Sequence, residues 1–115
     1  MINIRKTDEA VILDIVEDLD TPHKANQLEK ALKGAASEDV ELVIINLDQV
    51  QIVPQNSWGI IVALAAEFRP ERKEIKLVGL APHIRRQLDL VEGSKVIEIF
   101  ESEDDAIKSF SENVT

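Results

Sequence analysis

The sequence predicts a single α/β domain, a mixed and mostly parallel sheet of about five strands with about four helices. Three observations carry this expectation. Two short runs, Ala10–Val16 and Glu41–Leu47, are rich in β-branched apolar residues, as strands buried on both faces are. From Thr21 onward, segments with apolar residues at helical spacing alternate with strand-like runs. The chain's 115 residues fit one domain, and a chain of that size buries roughly two-thirds of its unfolded surface.

The elements follow in order. Ile2–Lys6 is a weaker strand candidate ahead of Ala10–Val16. Thr21-Pro22 then supplies an N-cap and a first-turn proline, and Ala25, Leu28, Leu32 and Ala35 recur on one helical face. After Glu41–Leu47 comes Ser57–Arg69, where Ile60-Ile61-Val62 favours a strand locally. Its alanines, its length and the stop at Pro70 favour a helix, which is the reading taken here. On that helix Trp58, Ile61, Val62, Ala65 and Phe68 share a stripe while Ile60 and Leu64 lie opposite, so the second apolar side must pack on another helix or meet a partner. Glu74–Val78 is the next strand. Pro82 opens a helix carrying Ile84, Leu88 and Val91 and ending near Gly93 in a left-handed cap. Lys95–Phe100 is the last strand, and Ser102–Asp105 forms a capping box before a final helix with Ala106, Ile107 and Phe110. Ser111–Thr115 is expected to fray.

Charge and composition narrow the function. With 13 Lys and Arg against 22 Asp and Glu the net charge is −9, a field that repels phosphate backbones and anionic lipid and attracts basic proteins. Direct nucleic-acid binding and membrane insertion are therefore not expected. The absence of cysteine excludes disulfides, thiolate metal sites and cysteine nucleophiles, and it suits a reducing compartment. No apolar stretch approaches the ~18 residues that span a bilayer, and the start turns charged at Arg5-Lys6. A soluble cytoplasmic protein is expected.

Catalytic constellations are missing from the sequence. His23 and His83 each follow a proline at a predicted helix start, with no Cys or second His at ligand spacing, and read as surface residues. No P-loop, dinucleotide turn or nucleophile elbow occurs, and Gly34, Gly59, Gly79 and Gly93 offer little for a phosphate cradle. The acidic runs Glu17–Asp20 and Glu101–Asp105 lack calcium-loop spacing and read as a solvated turn and a helix start. No catalytic residue, cofactor or metal is expected.

The stretch from Val43 to Ile60, with Leu47-Asp48-Gln49-Val50-Gln51-Ile52-Val53-Pro54-Gln55-Asn56-Ser57-Trp58-Gly59 at its centre, resembles the core of the STAS domain, the fold of anti-sigma factor antagonists. There a strand runs into Asp-Ser-Ser/Thr-Gly-Leu-Gly and a helix. Glu17-Asp18-Leu19-Asp20 is similar to the family's turn before its first helix. Leu77–Ile84 and Ile97–Ala106 resemble its later strand with the following helix start and its closing strand and helix. The resemblance implies a STAS-like single domain over residues 1–115, and a non-enzymatic bacterial signalling protein acting in transcription regulation by partner switching. The partner it implies is a kinase-fold anti-sigma factor.

In the ungapped alignment Gln55 stands where the family has its phosphoacceptor Ser/Thr, with Pro54 at the Asp, Asn56 at the next Ser/Thr, Ser57 at the Gly, Trp58 at the Leu and Gly59 at the second Gly. An amide accepts no phosphoryl group. It is also neutral, like the unphosphorylated, binding-competent state.

Three accounts of Pro54–Trp58 stand open on the sequence. The segment is a plain strand-to-helix loop with Asn56 as cap and Trp58 in the core. Or it is a partner surface without phospho-control, in which Gln55 and Asn56 hydrogen-bond, Trp58 anchors, and Ser57, Ile60 and Leu64 complete the contact. Or Ser57, two positions late, takes the phosphate. A Trp58→Asp variant separates the first two, because lost binding with an intact fold marks an anchor and lost folding marks a core residue. Two other functional classes remain at this point: a soluble STAS-type subunit of a membrane transporter complex, and an enzyme or small-nucleotide binder. A homodimer through the edge strand Ile2–Lys6 is also open, with the charges of Arg5, Lys6, Asp8 and Glu9 opposing it.

Overall fold

A computed structural model describes residues 2–113, leaving out the side chains of Ser94 and Asn113. The elements are β1 (Ile2–Lys6), β2 (Ala10–Ile15), α1 (Pro22–Ala36), β3 (Leu42–Asn46), α2 (Gln55–Phe68), β4 (Glu74–Val78), α3 (Pro82–Leu90), β5 (Glu98–Phe100) and α4 (Glu103–Asn113), with short 3₁₀ turns at Arg69–Glu71 and Gly93–Lys95. The five strands lie in the sheet in chain order, β1-β2-β3-β4-β5. β1 pairs antiparallel with β2, and the rest are parallel. The predicted α/β class and mixed, mostly parallel sheet are those found, and the first four strands lie within one residue of their expected bounds.

Helical connections between adjacent parallel strands cross with one hand, so α1, α2 and α3 cover the same face of the sheet. There Val11, Leu13, Ile15, Val43, Ile45, Ile75 and Leu77 meet Leu28 and Leu32 of α1, Trp58, Ile61 and Phe68 of α2, and Ile84 and Leu88 of α3. α4 packs on the opposite face, where Ala106, Ile107 and Phe110 lie over Ala10, Ile12, Leu42, Ile44 and Val78. Alternate residues of each strand feed the two layers, which is why β2 and β3 are apolar except at Asp14 and Asn46, near their carboxyl ends. The one lysine buried in this second layer, Lys76, is paired to Glu98 and lies 5.1 Å from the centre of the Phe100 ring.

Two predicted N-caps are present, and the ends of α3 and α4 differ from expectation. Thr21 Oγ1 accepts from Lys24 N–H at 3.2 Å, and Ser102 Oγ accepts from Asp105 N–H at 3.1 Å. α3 stops at Leu90, with Glu92 and not Gly93 in the left-handed region at φ 57°. Gly93 serves close packing instead, since a Cβ there would sit 2.1 Å from Leu88 Cδ1. The last strand is shorter than Lys95–Phe100, because Val96 and Ile97 N–H both bond back to Gly93 O and keep that segment in a turn. At the C-terminus, expected to fray, α4 continues through Asn113; Val114 and Thr115 lie outside the described residues.

On the α4 face an ion network ties the first strand to the last helix. Arg5 donates to Asp14 (Nη2, 2.8 Å) and to Glu103 (2.7 Å), and Asn46 Nδ2 donates to Asp14 at 3.1 Å. The Arg5 hydrogen bond, seconded by Asn46, lowers the Asp14 pKa below its ordinary value. A carboxylate whose folded-state pKa is depressed contributes stability that is complete above its unfolded pKa of about 3.9 and is lost as pH falls through the folded value. The expected result is that wild type exceeds Asp14→Asn in urea midpoint at pH 7, and that the difference shrinks between about pH 4 and the acid limit. A difference independent of pH refutes the assignment.

Candidate functional site

Ligand and partner sites in parallel α/β sheets collect at the carboxyl ends of the strands. Here that edge carries residues 16–21 after β2, 47–54 after β3 and 79–81 after β4. The middle segment is pinned at nearly every residue. Leu47 N–H bonds Val78 O (3.0 Å), and Asp48 N–H bonds Asn46 Oδ1 (3.0 Å). The Asp18 carboxylate accepts from both Gln51 N–H (2.8 Å) and Ile52 N–H (3.1 Å), while Leu19 N–H returns a bond to Ile52 O (3.1 Å). From the other side the protonated Nε2 of His83 donates to Gln51 O at 2.7 Å. Val50 and Val53 are buried, acting as two apolar feet.

Between those feet the Ile52 side chain stands out, 50% exposed. This residue was not singled out on the sequence. An isoleucine between Val50 and Val53 reads as more core, and only bonds to residues some 33 positions away turn it outward. His83, read as a surface residue, is half-buried and serves as a brace.

α2 starts at Gln55, with Pro54 in the cap position and no side-chain cap; Ser57 and Trp58 N–H both bond Pro54 O (3.0 and 3.2 Å). Asn56 lies inside the first turn and is not the cap. Gln55 and Asn56 are exposed and Ile60 is half-buried, so these three reach the surface.

Ser57, Trp58 and Leu64 do not reach it, contrary to the contact surface drawn from sequence. The Ser57 hydroxyl is buried and donates to Leu19 O at 3.2 Å, which removes it as an accessible phosphate acceptor. Trp58 is 1% exposed, inside the core between α2 and the sheet, and its Nε1–H has no acceptor among the described residues. Leu64 is buried, and α2 packs against α1 as the second apolar side of the helix requires. The aromatic anchor is thus a core side chain, and the exposed apolar group of the site is Ile52.

Among the described residues no three His, Cys, Asp or Glu side chains are grouped to hold a metal, and no helix is long and apolar enough to cross a membrane. The hydrogen-bonded loop 47–54 thus presents Ile52 beside exposed Gln49 and Gln51, at the carboxyl edge of an α/β sheet. The chain belongs to the STAS domain family, whose profile matches residues 1–106.

Solved structures with the same fold include the anti-sigma factor antagonist SpoIIAA in its unphosphorylated form (17% identity, 96% of each chain, TM-score 0.80). An anti-sigma factor antagonist of Mycobacterium paratuberculosis is similar at 18% identity over 95% of this chain and 92% of that one, TM-score 0.84. A variant of RsbS from Moorella thermoacetica matches at 15% identity over 96% and 97%, TM-score 0.79. No curated protein sequence matches the chain.

Proposed function

We propose that this chain is a non-enzymatic, protein-binding regulator of the anti-sigma factor antagonist type, and that it holds its partner without phospho-control at the usual position. The observation that carries the reading is the braced loop 47–54, which sets an exposed Ile52 three residues ahead of Gln55. An apolar side chain on a loop already rigid binds with little ordering cost. Gln55, Asn56 and Ile60 supply the polar and apolar surroundings of that contact. Gln55 has no hydroxyl to receive phosphate, and the nearby Ser57 hydroxyl is buried and engaged. The partner is a kinase-fold anti-sigma factor, and the complex is indifferent to phosphorylation of this chain.

The test is recovery of partners from soluble and detergent-solubilised cell fractions on the immobilised chain, with ATP or ADP, read by mass spectrometry. A kinase-fold anti-sigma factor is expected, recovered equally with either nucleotide. Ile52→Asp should weaken that complex by about 30-fold or more, the size of an interface hot spot of about 2 kcal/mol, and leave the free energy of unfolding within about 0.5 kcal/mol of wild type. Recovery of membrane-transporter subunits in place of the anti-sigma factor overturns the reading, as does full binding by the Ile52→Asp variant.

A further inference from the structure

Strand β1 forms one edge of the sheet, and among the described residues no strand lies against its outer side. The bond from Thr7 N–H to Ala10 O (2.9 Å) sets the alternation of the β1–β2 ladder. Asn3 and Arg5 therefore bond inward to Asp14 and Ile12, and the N–H and C=O of Ile2, Ile4 and Lys6 point outward.

Proteins usually guard such an edge with charged side chains that project from it. Here both cations of the strand are drawn onto the chain itself, Arg5 by Asp14 and Glu103 and Lys6 by Glu38 (2.6 Å). The centre of the edge is Ile4, 56% exposed, on the face covered by α1. With Ile2 and Ala31 it lines an apolar groove between β1 and α1, whose rim includes Gln27 and Lys30.

We infer that β1 pairs antiparallel with β1 of a second copy of this chain, across a two-fold axis at Ile4, so that the two sheets become continuous. The strand is self-complementary in this register. Ile4 faces the partner subunit's Ile4, Ile2 faces the partner's Lys6, and Asn3 faces the partner's Arg5, so no like charges stand directly opposite. Each of the outward-pointing residues Ile2, Ile4 and Lys6 gains a hydrogen-bonded pair, and the two apolar grooves meet on the same face. The contact is isologous and closes at two copies. Resting on one short strand, it is weak, with dissociation in the micromolar range.

The experiment is sedimentation equilibrium of the untagged chain from about 1 μM to 1 mM, with amide exchange followed by NMR over the same range. The expected mass rises from the single-chain 12.9 kDa to twice that, and exchange at Ile2, Ile4 and Lys6 slows with concentration. Ile4→Lys places two ammonium groups at the axis and should raise the dissociation constant about 10-fold or more. Ile4→Pro removes only an outward N–H and should abolish the dimer with the β1–β2 ladder intact. A chain that stays at single-chain mass to 1 mM, or a dimer without concentration-dependent protection at Ile4, overturns the inference. Because Ile4 and Ile52 lie on different edges of the molecule, failure here leaves the partner reading standing.

Discussion

Trp58→Ala lowers the free energy of unfolding by about 3–5 kcal/mol, the range for deleting a large buried aromatic. Urea denaturation followed by far-UV circular dichroism is the measurement. The side chain is 1% exposed and belongs to the main core between the sheet and the helices on that face, so truncation leaves a cavity in that core. For a domain whose total stability is about 5–15 kcal/mol this consumes a large fraction, and Trp58→Asp, which adds a buried charge, should not fold. Trp58→Phe makes the sharper comparison. It keeps most of the apolar volume and removes an indole N–H that finds no acceptor among the described residues, so the loss from the smaller ring is offset by relief of a buried unpaired donor. A Phe variant within about 1 kcal/mol of wild type, beside an Ala variant several kcal/mol down, fits a core role; near-wild-type stability of Trp58→Ala refutes it.

The second large effect is expected at Gly79, which turns the chain from β4 toward α3 at φ 75°. A Cβ there would lie 2.8 Å from Asp48 Cβ, 3.1 Å from Asp48 N and 3.2 Å from Asn46 Oδ1. Asp48 opens the loop that presents Ile52, and Asn46 Oδ1 is the acceptor holding Asp48 N–H. Gly79→Ala therefore combines left-handed backbone strain with a collision against main chain that has little room to move, for a loss of about 2–3 kcal/mol in unfolding free energy. It should also displace the 47–54 loop. Asp18 accepts from the N–H groups of both Gln51 and Ile52, so amide exchange there is expected to be faster in the variant than in wild type, beyond what the change in global stability accounts for. Unchanged exchange at those two amides would show that Gly79 matters only for the turn.

The sheet was legible because its strands are patterned by burial. β2 and β3 have both faces covered, and their four-residue apolar runs Ala10–Leu13 and Leu42–Ile45 record it. α1 was legible through Thr21 and the spacing of Ala25, Leu28, Leu32 and Ala35, all of which are buried. The site was harder to read because α2 is apolar nearly all round. Helical spacing says which side chains share a face, but it does not say which face is inside when both carry isoleucine and leucine. Trp58 and Leu64 were thus grouped with Gln55 and Asn56 as contact residues although only the amides reach the surface. Ile52 was hidden for another reason. Its exposure follows from backbone bonds to Asp18 and from the His83 brace on its neighbour, contacts between distant parts of the chain that leave no local pattern.

The order of the strands has a consequence for biosynthesis. Because β1 to β5 lie side by side in the order in which they are made, a chain leaving the ribosome can add each strand to the sheet already formed, without waiting for a later segment to fill a gap. Low sequence separation between pairing partners favours fast assembly. The exception is the face under α4, whose apolar floor of Ile12, Leu42, Ile44 and Val78 stays bare until Ala106 and Phe110 have been synthesised. The Arg5–Glu103 bond, joining the first strand to the last helix, is then among the last contacts to form. A nascent chain stalled before residue 103 presents that bare face to its neighbours, and at this stage it is most exposed to aggregation and to capture by chaperones.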